Sequence, residues 1–218
     1  MLAQGYAFGK AKIPAHPDHV ALAEALRRRV LEGPGMTDSG KGQTVLIQGT
    51  GGISLFSMQF ALMNGAEVIL MSSSDEKLAN ARKMGVNYLI NYKSIPTWEE
   101  EVLAITNGLG VDHIVEVVGG NHINRSMDVV SPEGTISLIG LIDGFYSNIN
   151  TAKIMSKQIR LQGIEVGSKN MFERMNNAIK INKMQPVIDH VYAFSEAKEA
   201  LTALEQGKHF GKICISFY

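Results

Sequence analysis

The hexapeptide Gly49-Thr50-Gly51-Gly52-Ile53-Ser54 lies between the apolar run Thr44-Val45-Leu46-Ile47-Gln48 and the helix-forming run Leu55-Phe56-Ser57-Met58-Gln59-Phe60-Ala61. A strand that turns over glycines into a helix lets the backbone approach a bound group, and the free N–H groups at the helix start favour an anion. By itself the hexapeptide also fits an ordinary βα turn. Its surroundings separate the two. Ser54 stands where the third glycine of the fingerprint would be, and a small side chain there still permits close contact between helix and strand. The next apolar run, Glu67-Val68-Ile69-Leu70-Met71, ends where the second strand of a βαβ unit should. Ser72 then falls about twenty residues past the glycines, at the position that reads a ribose. The pattern implies a dinucleotide site.

An acidic residue at the ribose position would bind a free 2′-hydroxyl and repel a 2′-phosphate. Here the chain offers Ser72-Ser73-Ser74, with Lys77 one helical turn further on, which favours NADP(H) over NAD(H). Ser74 or Asp75 also reads as the cap of the following helix. Asp75 and Glu76 place negative charge nearby and oppose the phosphate reading.

The 21 Lys and Arg balance the 21 Asp and Glu, and without a basic stripe neither nucleic acid nor an anionic membrane surface is an expected partner. No apolar run reaches the roughly twenty residues of a bilayer span, and Met1-Leu2-Ala3-Gln4-Gly5-Tyr6 lacks a secretory core, so a cytoplasmic location is expected. The single cysteine, Cys214, sits in an apolar stretch and reads as a small buried hydrophobe. Only His16 and His19 are closely spaced among the histidines, without cysteines or a carboxylate cluster beside them, and no zinc site is expected.

From Thr44 onward, strands near 44–48, 67–71, 87–90, 111–118, 134–139 and 159–165 alternate with helices near 53–64, 75–84, 97–107, 121–130 and 151–157. This is the pattern of an α/β, Rossmann-type, doubly wound parallel sheet of about six strands with helices on both faces. A helix near 170–183, a strand near 190–193, a helix near 195–206 and a strand near 211–217 follow. Residues 1–40 differ in character: an amphipathic helix over 21–31 is broken by Gly33-Pro34-Gly35-Met36, which marks either a junction or a divergent lead-in. Three parts are expected: a leader over 1–40, a dinucleotide-binding domain over 41–185 and a C-terminal segment over 186–218.

Gln43-Thr44-Val45-Leu46-Ile47-Gln48-Gly49-Thr50-Gly51-Gly52-Ile53-Ser54, Gly110-Val111-Asp112-His113-Ile114-Val115-Glu116-Val117-Val118-Gly119-Gly120, Ile139-Gly140-Leu141 and Gly207-Lys208-His209-Phe210-Gly211-Lys212-Ile213 together resemble the medium-chain dehydrogenase/reductase superfamily. That superfamily includes zinc-type alcohol dehydrogenases and zinc-free quinone oxidoreductases, and the likeness runs from about Lys41 to Phe217. The three-serine strand end looks more like the NADP-using quinone oxidoreductase branch. The resemblance implies a turn at Gly49, the pyrophosphate on Gly51, Gly52 and Ile53, and the ribose phosphate near Ser72, Ser73, Lys77 and Tyr92. It puts Val118 and Gly119 along the path of the dinucleotide, Ile139, Gly140 and Leu141 at the nicotinamide ribose, and Gly167 and Ser168 beside the ring.

The family's N-terminal catalytic domain has no counterpart in residues 1–40, so no catalytic residue is assigned and turnover by this chain alone is not expected. Two functions follow: the cofactor-binding portion of an NADP-dependent oxidoreductase, or a non-catalytic NADP-binding sensor or docking module. A methyltransferase using S-adenosylmethionine shares the glycine turn, but the six-strand pattern and the closing Gly211-Lys212-Ile213 stand against it. In the family the C-terminal segment meets the catalytic domain, and here the leader helix is its expected cover. The resemblance also implies a homodimer through an edge strand over 159–166.

Overall fold

The computed structural model describes residues 6–8, 11–13 and 42–217. The leader helix expected over 21–31, its glycine-proline break and its role as a cover lie outside the described residues. Two short strands, β1 (Tyr6–Phe8) and β2 (Ala11–Ile13), pair antiparallel.

The main sheet is built from β3 (Thr44–Gln48), β4 (Glu67–Ser72), β5 (Tyr88–Asn91), β6 (Val111–Glu116), β7 (Val130–Leu138) and β8 (Arg160–Gly163), in the order β5-β4-β3-β6-β7-β8 with every pair parallel. Val45, Leu46 and Ile47 of β3 are fully buried, as a central strand covered on both faces requires, and each such side chain contributes about 2 kcal/mol. Because successive side chains point to opposite faces, they feed two cores. Val45 and Ile47 join Leu55 and Met58 of α1 (Gly52–Met63), Leu78 and Ala81 of α2 (Asp75–Lys83) and Met175 and Ile179 of the C-terminal-side helix over Lys169–Ile181. Leu46 joins Trp98 and Val102 of α3 (Trp98–Ile105) and Ile123 and Met127 of α4 (His122–Val129). Helices therefore cover both faces, which is the doubly wound arrangement expected from the sequence.

Three strand expectations need correction. β6 stops at Glu116 instead of running to 118, because the N–H groups of Val117 and Val118 are taken by the side chains of Gln48 and Glu116 and not by β7. β7 begins earlier, at Val130, and its register slips against β6 between Val111 and His113; Glu133 takes a positive φ of 59° within the irregular stretch. The edge strand expected over 159–166 is only Arg160–Gly163, extended by one rung from Ile164 N–H to the Leu138 carbonyl.

After β8 the chain forms α6 (Lys169–Ile181), α5 being Thr151–Lys157 before that strand. Then follow β9 (Ile188–Ala193), a single 3-10 turn, α7 (Ala197–Glu205) and β10 (Lys212–Ser216). β9 and β10 form their own parallel pair, outside the main sheet. Cys214 is buried there and burial pushes its thiol pKa up, in keeping with a packing role. The start of β10 reaches back to the glycine turn: Gly211 N–H donates to the Thr50 carbonyl at 3.1 Å, and Gly211 and Gly51 form an isolated parallel bridge.

Candidate dinucleotide site

In the observed order, β3 connects to β4 on one side while β6 lies on its other side, so the ends of β3 and β6 form the point at which the strand order reverses. Ligands of open parallel sheets bind there, at the carboxyl ends of the strands. Gly49 to Ile53, Ser72 and Ser73, Tyr92, Val118 and Gly119, Ile139 to Leu141, and Gly167 and Ser168 all follow carboxyl ends of these parallel strands.

At the glycine turn, Gly49 has φ +78° and its N–H donates to the Met71 carbonyl at 2.8 Å. Ser54, buried, donates its hydroxyl to the Gln48 carbonyl at 2.7 Å and so clips the helix to the strand it follows. Gly51 is the N-cap of α1 and no side chain caps the helix. The first N–H groups of a helix have no partner within it, and a Cβ added to Gly51 would meet nothing within 4 Å. The turn thus combines a helix start that no side chain caps with open space beside Gly51. A Cβ on Gly52, in contrast, would meet the Lys212 side chain, with the ammonium nitrogen 2.7 Å away. Lys212 arrives from β10, on the opposite end of the chain, and lays a cation across the start of α1.

At the ribose position Ser72 is buried and its hydroxyl accepts from Ser74 N–H at 3.3 Å, while Ser74 caps α2 by accepting from Lys77 N–H at 3.3 Å. Tyr92 N–H donates to the Ser72 carbonyl, which sets these residues side by side, with the Tyr92 ring partly exposed. Asp75 is engaged by Asn91 at 2.7 Å. The Lys77 ammonium donates to the Gly207 carbonyl at 2.8 Å, and burial lowers its pKa against the opposing charges of Asp189 and Glu76. His209 lies near both lysines: burial, and then the charge of Lys77, lower its pKa.

The second half of the candidate set is organised differently. Val118 and Gly119 N–H donate to one oxygen of Glu116 at 2.9 and 3.0 Å, and Ile139 and Gly140 N–H donate to the Glu116 carbonyl at 2.9 and 3.3 Å. These four backbone donors are engaged within the protein and are not open to a bound molecule. Leu141 is half exposed, and Ile142, Phe145 and Tyr146 beyond it are largely exposed. Ser168 caps α6 by accepting from Met171 N–H at 3.3 Å, directly after Gly167. Among the described residues no three His, Cys, Asp or Glu side chains converge as a metal ion would require.

Lys212 and Glu116 escaped assignment from the sequence. Lys212 stood in a noted motif, Gly211-Lys212-Ile213, but its distance along the chain from Gly52 hid the meeting. Glu116 stood inside an apolar run, where a lone carboxylate at a strand end was the available signal.

The family model for zinc-binding dehydrogenases matches residues 52–181. A zinc-type alcohol dehydrogenase-like protein of Schizosaccharomyces pombe is 39% identical over 178 residues, covering 80% of this chain and 51% of that protein. An L-threonine 3-dehydrogenase of Pyrococcus furiosus is 31% identical over 207 residues, covering 88% of this chain and 56% of that protein. A crystal structure of a provisionally named alcohol dehydrogenase from Sinorhizobium meliloti 1021 superposes with a TM-score of 0.85 at 36% identity, over 98% of this chain and 60% of that one. The chain spans about half the length of the curated relatives it matches.

Proposed function

The chain belongs to the zinc-binding dehydrogenases of the medium-chain dehydrogenase/reductase superfamily, as their nucleotide-binding portion, and from that premise we propose that it binds NADP(H) in preference to NAD(H). The dinucleotide reading is carried by the uncapped start of α1 at Gly51, open where a side chain would stand, and the preference by Ser72, where an acidic ribose reader would stand, with Lys77 one helical turn on. The pyrophosphate seats against the N–H groups of Gly52 and Ile53, with Lys212 beside it as a counter-charge. The 2′-phosphate is met by the hydroxyls of Ser72 and Ser73, by Tyr92, and by Lys77, which keeps further N–H donors besides the one given to Gly207. The nicotinamide half runs along Val118, Gly119 and Ile139 to Leu141 toward Gly167 and Ser168.

The nicotinamide, when bound, supplies hydride chemistry. The role of this chain is to bind and orient it; we assign substrate orientation and protonation to the part of the relatives that lies outside the match, and hydride transfer on an alcohol or quinone-type substrate to the whole assembly. The donor set of the described residues does not fit zinc, since no three His, Cys, Asp or Glu side chains converge among them. We assign residues 41–185 to the cofactor domain and 186–218 to a segment that serves both cofactor and substrate halves. No described helix is long and apolar enough to cross a membrane, and a cytoplasmic setting goes with the same reading.

Calorimetric titration tests the cofactor: NADPH binds at least tenfold more tightly than NADH, and Lys77→Ala weakens NADPH by on the order of 1 kcal/mol while leaving NADH nearly unchanged. Equal or tighter binding of NADH overturns the preference. We further propose a homodimer through β8, which pairs only with β7 in the described sheet and so leaves one row of backbone groups for a second copy. Light scattering at tens of micromolar gives a dimer for the wild type and a monomer for Leu161→Pro, since proline removes a ladder donor. A monomeric wild type ends the dimer proposal.

A further inference from the structure

We propose that Glu116 is a positioning residue for the nicotinamide half of the dinucleotide, acting through the Val118–Gly119 turn, with Gln48 and His122 fixing its carboxylate. The inference deepens the dinucleotide reading above and rests on it.

Glu116 is the last residue of β6 and is fully buried. One carboxylate oxygen takes the N–H groups of Val118 and Gly119. The other takes the Gln48 amide at 2.9 Å, His122 Nδ1 at 3.2 Å and the Ser126 hydroxyl. Burial alone would raise its pKa, but the hydrogen bonds from His122, Ser126 and Gln48 and the charge of His122 bring it down to about 2. A buried carboxylate is costly unless it is fully paired, and an apolar side chain could fill the same volume. What an apolar side chain cannot do is accept two adjacent N–H groups that point away from any sheet ladder.

The turn is held from the other side as well. Gly119 and Gly120 have φ of +71° and +52°, the Val118 carbonyl accepts from Asp143 N–H at 2.8 Å, and the Gly119 carbonyl accepts from His122 N–H at 3.1 Å. Gln48 directly precedes Gly49, and its own amide oxygen accepts from Val117 N–H at 3.2 Å. One side-chain amide therefore links the pyrophosphate turn to the turn that follows β6. Glu116 fixes the spacing between the two surfaces along which the two halves of the ligand lie.

Glu116→Gln breaks this arrangement without changing volume. Both oxygens now face only donors, so an amide must turn its NH2 either onto Val118 and Gly119 or onto Gln48, His122 and Ser126. The test is calorimetry on the 218-residue chain with two probes, NADPH and adenosine 2′,5′-bisphosphate, which carries the adenosine half alone. Glu116→Gln weakens NADPH at least tenfold and changes the half-ligand less than twofold. Equal losses for both probes, or no loss for either, overturn the proposal.

Trp98, the chain's one tryptophan, stacks on the His122 ring at 5.4 Å, so its emission reports whether that region stays folded. Should Glu116→Gln unfold, the His122 pair decides. His122→Asn keeps an N–H toward the carboxylate and retains NADPH affinity within threefold, whereas His122→Leu loses it selectively over the half-ligand. Equal behaviour of the two variants overturns the proposal. A wild type that binds neither probe refutes the dinucleotide reading itself, an outcome distinct from both.

Discussion

An added Cβ at Gly51 would stand in open space, whereas one at Gly140 would overlap the Val117 carbonyl oxygen and one at Gly119 the Gly140 carbonyl. The first turn leaves its helix start uncapped; the second has its N–H groups bound by Glu116. Both are glycine-rich and both follow parallel strands, so composition does not distinguish them. At the first the space beside the glycine is open, and at the second backbone already touches backbone. Ligand binding and stability should therefore separate between the two.

The largest separation is at Gly51. Gly51→Val lowers NADPH affinity by at least a hundredfold, about 3 kcal/mol, while urea unfolding shifts by less than about 0.5 kcal/mol because the free protein has room for the side chain. A stability loss matching the affinity loss would erase the contrast. Gly140→Ala lowers unfolding free energy by about 2–3 kcal/mol, because the methyl group would stand 1.7 Å from the Val117 carbonyl oxygen and only backbone can give way. An unchanged midpoint would show that the second turn is as open as the first. The closed turn, unlike the open one, depends on an ionised carboxylate. The Glu116 pKa is depressed from 4.5 to about 2, so its contribution is complete above pH 4.5 and is lost as pH falls toward 2. Unfolding titrations should show about 2 kcal/mol of this loss by pH 3, absent in Glu116→Gln.

The parallel strands, the glycine turn and the Ser74 cap were legible because each is written in neighbouring residues: three consecutive apolar positions for a central strand, a hydroxyl before a helix. The strand end after β6 was not. Val117 and Val118 continue the apolar run, and only the side chains of Gln48 and Glu116, meeting across two strands, remove them from the ladder. Likewise β8 is shorter than the run Ile159 to Val166, since its outward residues have a partner on one side alone and periodicity does not record where pairing stops. Lys77 was placed correctly on the first turn of α2, yet its bond to Gly207 depends on a loop 130 positions away.

The bridge between Gly51 and Gly211 has a bearing on how the molecule comes to exist in time. Its two sides stand far apart along the sequence, and contacts of such long sequence separation form late and slowly. During synthesis the βαβ unit around β3 can assemble from its own neighbours, while the arm carrying Lys212 is still within or just beyond the ribosome. The nascent protein thus passes through a stage in which the glycine turn is formed and Lys212 has not yet reached it.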